Sequence, residues 1–182
     1  MSSSNATSAT TQHRRVRTVS WADPMIGATA AASMAGLDYL RAIGAGDLPP
    51  PPVALLLGMD APHVDPGRAV FTMEPGEHLY NPIGSVHGGI LATLLDSALG
   101  CAVHSKLPAG VGYTTVDLAV TYLRPVTRDT GRLTCDADAI HTGRKIATAR
   151  ARIVDDDGRL YATATATCLI FRTTPDRPET TD

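Results

Sequence analysis

The sequence has no cysteine spacing suited to a metal and no even set from which a disulfide framework could be built. Its three cysteines, Cys101, Cys135 and Cys168, sit apart in apolar or alternating segments and read as reduced core residues. Charge of one sign is also lacking: a formal net charge of −2 removes any chain-wide electrostatic reason to bind nucleic acid or an anionic membrane, leaving room only for a local basic site. No apolar run is suited to crossing a bilayer. The longest, residues 86–103, approaches that length but carries His87 and a central Asp96 and has no cationic flank, so membrane insertion is not expected. The first residues lack the apolar core of a secretory signal, which makes the cytoplasm the expected location. Residues 1–22 hold arginines, serines and threonines and no acid, as organellar transit peptides do; the reading adopted is a disordered tail. With 182 residues, one well-packed domain is expected rather than two, with about twenty residues to spare at each end.

What the chain does have is concentrated in residues 81–103. Asn81-Pro82 and Gly84 carry turn chemistry, and His87-Gly88-Gly89 follows at a helix start. From Ile90 to Val103 nearly every residue is apolar or small, which predicts a helix buried on most of its circumference. Asp96 interrupts that run. A carboxylate there must be paired, protonated or used, because burying one without partners is costly. Gly89, Ala92, Thr93, Asp96 and Gly100 recur at helical spacing on one face, which either forms a groove with the acid in its floor or lets a strand pack closely while Asp96 hydrogen-bonds a neighbour.

On the N-terminal side of this stretch, Asp23-Pro24 starts a short amphipathic helix in which Met34, Leu37, Leu40 and Ile43 recur at three-residue spacing until Gly44-Ala45-Gly46 ends it. The four prolines Pro49, Pro50, Pro51 and Pro52 form a stiff extended connector. A turn at Asp65-Pro66-Gly67 precedes a strand with Ala69, Phe71 and Met73 on one side. Four further strands are predicted over 113–123, 132–141, 145–154 and 160–171, the last two joined by a hairpin turn at Asp155-Asp156-Asp157-Gly158. In the last, Leu160, Ala162, Ala164, Ala166 and Cys168 alternate with Tyr161, Thr163, Thr165 and Thr167. An antiparallel sheet curved around one buried helix satisfies these patterns. Aromatic residues are only 4% of the chain, and strands so rich in Ala and Thr bury little area per monomer, so association with a second copy is expected.

A strand, an NPxGxxHGG loop, a buried helix with an acid seven residues beyond the second glycine, then four strands: this order resembles the hotdog-fold acyl-CoA thioesterases. It is most similar to the phenylacetate-pathway (PaaI) type, the group that includes thioesterase superfamily member 2. The residues carrying the resemblance are Asn81, His87-Gly88-Gly89, Asp96, Thr114-Thr115-Val116-Asp117, Tyr122-Leu123-Arg124-Pro125 and Gly143-Arg144. It implies an α+β hotdog fold, a curved antiparallel β-sheet wrapped around a long central α-helix, here with an extra N-terminal helix. The expected organisation is a disordered tail (1–22), the N-terminal helix and proline-rich connector (23–52), the hotdog domain (53–173) and a disordered C-terminal tail (174–182). The implied activity is hydrolysis of an acyl-CoA, with coenzyme A present only as part of the substrate and with no metal or other cofactor. The resemblance assigns the Gly88 N–H as donor to the thioester carbonyl oxygen, which agrees with the free N–H groups and positive dipole end of a helix start. Asn81 and His87 would shape the same loop and, as part of the implied catalytic set, help place the thioester or the water. Asp96 would act as general base on water or as a nucleophile forming a transient anhydride, and Thr115 would help hold the attacking water.

Helix geometry alone sets a further requirement. Gly88 and Asp96 are eight residues apart on one helix, about 12 Å along its axis, too far to act on the same carbonyl, so the site must combine two chains. Two antiparallel helices across a twofold axis would bring Gly88 of one copy to Asp96 of the other, and the resemblance extends this homodimer to a dimer of dimers. For the substrate's phosphates, Arg124, Arg144 and Lys145 lie at turn-proximal strand ends, with Gly89 and Gly143 completing the expected binding set. The acyl pocket would be lined by residues near 92–100 and 113–116, and the N-terminal extension would cover it. Other chemistry lacks its motif: His63, His78, His104 and His141 have no ligand spacing, Ser85 and Ser97 lie in no GxSxG elbow, and the glycines of 84–89 form neither GxGxxG nor a Walker motif. The competing class is a protein that binds an acyl-CoA or lipid in this groove without turnover.

Overall fold

The computed structural model describes residues 14–173. The expected tail of 174–182 and most of that of 1–22 lie outside the described residues. Three short helices come first, α1 (Pro24–Ser33), α2 (Gly36–Ala45) and α3 (Pro52–Leu57). Then come β1 (His63–Asp65), β2 (Arg68–Met73), the long helix α4 (Gly88–His104), and β3 (Val111–Tyr122), β4 (Leu133–Thr142), β5 (Ile146–Asp155) and β6 (Leu160–Arg172). The strands make one antiparallel sheet in the order β1-β2-β4-β5-β6-β3, and α4 packs against it. This is the expected hotdog arrangement of a curved sheet around a central helix.

The core is where the two meet. Leu94, Leu95, Ala98, Leu99, Ala102 and Val103 of α4 are fully buried against Met73, Leu133, Cys135, Ala149 and Ile153 of the sheet. Burying a large aliphatic side chain contributes about 1.5–3 kcal/mol, so this line of leucines seats the helix firmly. Small residues on the sheet's inner face, including Ala137, Ala147, Ala162 and Ala166, allow the close approach.

Several elements differ from the local reading. The predicted single N-terminal helix is two, because Met34 is extended (φ −97°, ψ 154°) and Gly36 starts again against the end of α4. A Cβ on Gly36 would lie 1.8 Å from the His104 carbonyl oxygen, so only glycine permits this contact. Pro52 ends the extended connector by opening α3, its fixed φ suiting a first helical position, and Gly58 (φ +73°) closes it. The three residues His63–Asp65, paired with β2, add a strand the periodicity did not show. Tyr161 is an extra residue between the Ile153–Ala162 and Val154–Leu160 pairs. It is buried with its hydroxyl donating to Asp155 (3.0 Å), not aligned outward with Thr163 and Thr165. The hairpin turn at Asp155 forms as expected, Gly158 adopting φ +77° and donating to the Asp155 carbonyl.

The strand that reaches the polar residue of α4 is β3. Among the described residues it is an edge strand, paired with β6 alone, and its register slips between Thr115 and Asp117, so Val116 is a bulge with 57% exposure. The bulge changes parity along the strand. Tyr113 and Thr115 turn toward α4 before it, and Leu118 and Val120 pack inward after it.

Candidate active site

The loop before α4 is held by its own side chains. The Asn81 carboxamide oxygen accepts from the Ile83 (3.1 Å) and Ser85 (3.2 Å) N–H groups, and its nitrogen donates to the Ser85 hydroxyl (3.2 Å). Asn81 thus acts on the loop backbone, and Gly84 supplies the left-handed residue (φ +83°) that the bend requires. Val86 and His87 anchor the loop's exit by donating to the carbonyls of Val126 and Leu79, both at 2.8 Å.

His87 is the N-cap of α4. Its Nδ1 accepts from the Gly89 N–H at 2.9 Å, which places the ring proton on Nε2 and takes Gly89's amide out of play. The Gly88 N–H, by contrast, has no partner among the described residues. It is a free donor at the positive end of a seventeen-residue helix. Gly88 also carries a contact that strand and motif reading missed: Tyr122, at the end of β3, donates its hydroxyl to the Gly88 carbonyl (2.8 Å). A Cβ on Gly88 would lie 3.2 Å from the Tyr122 ring, a tight contact to which the half-exposed tyrosine would have to yield by a few tenths of an ångström. The signal available was an aromatic directly before Leu123-Arg124-Pro125 in a chain with only five tyrosines.

Two turns further along α4, Asp96 is half-buried, and the Thr115 hydroxyl donates to its Oδ1 at 2.9 Å. No cation pairs with Asp96 among the described residues. The carboxylate therefore has one hydroxyl donor and a free oxygen, next to a groove rather than inside an ion pair. Nearby groups that could compete as nucleophiles are held neutral. Burial first, and then the Asp96 charge, push the Cys101 thiol up to about 12; burial keeps the Tyr113 phenol well above its ordinary range. Ser97 is likewise occupied, donating to the Thr93 carbonyl (2.8 Å).

The expected cationic residues separate into two places. Arg124 lies at the Gly88 end, exposed, its guanidinium donating to the Leu160 carbonyl. Gly143, Arg144 and Lys145 lie at the opposite end of α4, where with Lys106 and Arg172 they line a cleft of ≈ 490 Å³. Lys106 and Arg172 were not singled out from sequence because only folding brings the end of α4 and the end of β6 to the β4–β5 turn. Gly143 closes that turn by donating to the Ile146 carbonyl (2.9 Å).

A third feature is an apolar cavity of ≈ 460 Å³ between the N-terminal helices and α4, reached by Ser97, Cys101, His104 and Tyr113. A larger concavity (≈ 560 Å³) lies on the outer sheet face, but its charged side chains pair with each other, Asp136 with Arg152 and Asp138 with Arg150. Among the described residues no group of three or more His, Cys, Asp or Glu side chains is placed to hold a metal ion, and no helix is long and apolar enough to cross a membrane.

Known proteins share this geometry. Residues 83–162, which include the loop from Ile83 onward, α4 with Asp96, and β3 to β5, match the thioesterase superfamily. The medium/long-chain acyl-CoA thioesterase YigI of Salmonella typhimurium is 33% identical over 98 residues, covering 47% of this chain and 62% of that protein. The chain spans between 43% and 62% of most of the curated relatives it matches. Solved structures align over more of their length. A thioesterase family protein from Silicibacter pomeroyi is 31% identical with a TM-score of 0.64, covering 73% of this chain and 96% of that one. The PaaI protein of the Escherichia coli phenylacetic acid degradation operon is 26% identical with a TM-score of 0.64, covering 76% and 96%. With the hotdog sheet, the central helix and matches that run nearly the whole length of these structures, the chain belongs to the thioesterase superfamily.

Proposed function

We propose that this protein hydrolyses the thioester of an acyl-CoA to the free acid and coenzyme A. The observation that carries this reading is a half-buried, hydroxyl-supported carboxylate, Asp96, on the same helix whose first N–H, at Gly88, is unpartnered. Pure binding of an apolar acyl group has no use for that carboxylate. In the reaction, Asp96 removes a proton from water while the oxygen attacks the thioester carbon; alternatively its own oxygen attacks, giving an anhydride that water then opens. Negative charge develops on the carbonyl oxygen in either case, and the C–S bond breaks to release the thiolate, which takes up a proton. The Gly88 N–H and the helix dipole stabilise the oxyanion, a type of interaction whose loss typically costs about a hundred- to a thousandfold in rate. Thr115 orients Asp96 and the water, and Asn81, His87 and Tyr122 keep the Gly88 backbone in place.

Because Gly88 and Asp96 are about 12 Å apart along α4, each site takes Gly88 from one protomer and Asp96 from another in a homodimer, with dimers pairing into tetramers. The unpaired edge of β3, twelve residues long with Val116 exposed, supports this, since such an edge readily pairs with another chain. Arg124 and the Gly143, Arg144, Lys145 cleft receive the CoA phosphates, with Lys106 and Arg172 added. No cofactor beyond the substrate's own CoA is required, and the cytoplasm is the expected location. Thiol release from a panel of short, medium, long and aryl acyl-CoAs tests the reading: turnover of at least one supports it, and binding without release would replace it with a non-catalytic acyl-CoA carrier.

A further inference from the structure

The elements that bring Asp96 and Thr115 together run directly into the apolar cavity. On α4, Ser97 follows Asp96, and Cys101 and His104 continue along the same face. On β3, Tyr113 lies two residues before Thr115, its ring packed so closely over Gly100 that a Cβ there would fall 2.5 Å from the phenol oxygen. Leu40 and Ile43 of α2, Val53 and Ala54 of α3, and Met59 just beyond build the opposite wall. At the far end Tyr39 and Tyr113 pack on either side of the buried His104, with ring centroids 5.5 and 5.4 Å from it. That end is held shut by Gly36 seated on the His104 carbonyl and donating to Leu107 (3.0 Å).

Resting on the acyl-CoA reading, we infer that this cavity holds the acyl tail and that the N-terminal segment from Tyr39 to Met59 sets its length, selecting an unbranched, medium-length chain. From Asp96 to His104 is about 12 Å along the helix, the reach of an extended chain of about eight to ten carbons. The volume, ≈ 460 Å³, lies within the range of about 300–1,000 Å³ of small-molecule sites. The occupant is apolar because most of the lining is aliphatic, and two of its polar side chains are already engaged: Ser97 donates to the Thr93 carbonyl, and Asp60 accepts from Arg132 and Thr72. Burial holds His104 toward its neutral form, so it presents no charge to the far end.

The test compares kcat/KM for butyryl-, octanoyl-, dodecanoyl- and phenylacetyl-CoA in wild type, Ala54→Phe and Ile43→Ala. Each methylene in a fitted apolar pocket is worth about ten- to two-hundredfold in discrimination. Ala54→Phe shortens the cavity and should lower the octanoyl-to-butyryl ratio by about tenfold or more. Ile43→Ala lengthens it and should raise the dodecanoyl-to-octanoyl ratio. Val53→Phe narrows the same wall from a position 42% exposed and tolerant of change, so it repeats the first comparison if Ala54→Phe does not fold. Ratios unmoved in folded, active variants would overturn the inference while leaving hydrolysis intact, and a wild type that prefers phenylacetyl-CoA tenfold would overturn the unbranched chain. Should no acyl-CoA be turned over, calorimetric titration with octanoyl-CoA separates the two readings. Binding that Ala54→Phe weakens more for octanoyl- than butyryl-CoA supports the pocket although hydrolysis fails; equal effects overturn both.

Discussion

Asp96→Asn is expected to lower acyl-CoA turnover by a hundredfold or more while the protein remains folded. Asparagine keeps the side chain's shape, and its carboxamide oxygen can still accept the Thr115 hydroxyl, so the contact between α4 and β3 survives. The lost property is chemical: an amide neither accepts water's proton at neutral pH nor attacks a thioester. A hundredfold loss corresponds to about 2.7 kcal/mol of transition-state stabilisation. It should appear in kcat and kcat/KM together, as for an interaction made only in the transition state. Steady-state thiol release, with thermal unfolding as the check on folding, decides the matter. Turnover within tenfold of wild type at an unchanged melting temperature would remove Asp96 from the chemistry. General base and nucleophile are not separated by this variant, but rapid-quench trapping of an acyl-enzyme on Asp96 in the wild type would select the second.

Gly36→Ala is expected to be the most damaging single-methyl change in the N-terminal extension. Its Cβ would sit 1.8 Å from the His104 carbonyl oxygen and 2.6 Å from both the carbonyl carbon and the imidazole Cδ2. The first two are backbone atoms near the end of the central helix, so α2 must lift rather than a side chain rotate. Overpacking of this kind costs about 1–3 kcal/mol. The entropy gained by replacing glycine offsets about 0.4–1 kcal/mol of it. At about 2–4 °C per kcal/mol for a chain of this size, the melting temperature should fall by several degrees. Gly44→Ala is the control, because its Cβ would meet only the Pro62 carbonyl at 3.4 Å, an ordinary contact. Equal melting temperatures for the two variants would show that α2 is not seated on His104 in solution.

Much of the architecture was legible because it is written in local chemistry. The strands ending at the Asp155 turn, the loop at Asn81 and the start of α4 at Gly88 are set by turn residues and caps acting within a few positions. The break between α1 and α2 was not legible, since Met34, which sits at the break, keeps helical spacing with Leu37, Leu40 and Ile43 of α2. What interrupts the helix is Gly36 meeting His104, a contact 68 positions away. The parity of β3 was hidden for a similar reason. Tyr113 and Thr115 face α4 while Leu118 and Val120 also face inward, and only the bulge at Val116, imposed by pairing with β6, reconciles the two. The role of Tyr122 at Gly88 was equally invisible to a reading of neighbours.

By itself the sequence determined that a long apolar helix carries one acid, Asp96, beyond a glycine-rich start, and that strands come after it at turn-marked intervals. Those features depend on backbone preferences and side-chain periodicity, which act over a few residues. Tertiary structure alone decided that the Thr115 hydroxyl meets Asp96, that Gly88 keeps a free N–H while His87 occupies that of Gly89, and that α2 and α3 wall an apolar cavity against Ser97, Cys101 and His104 of α4. These are matters of register and packing between segments far apart in the chain, and such contacts exist only once the sheet has closed around the helix.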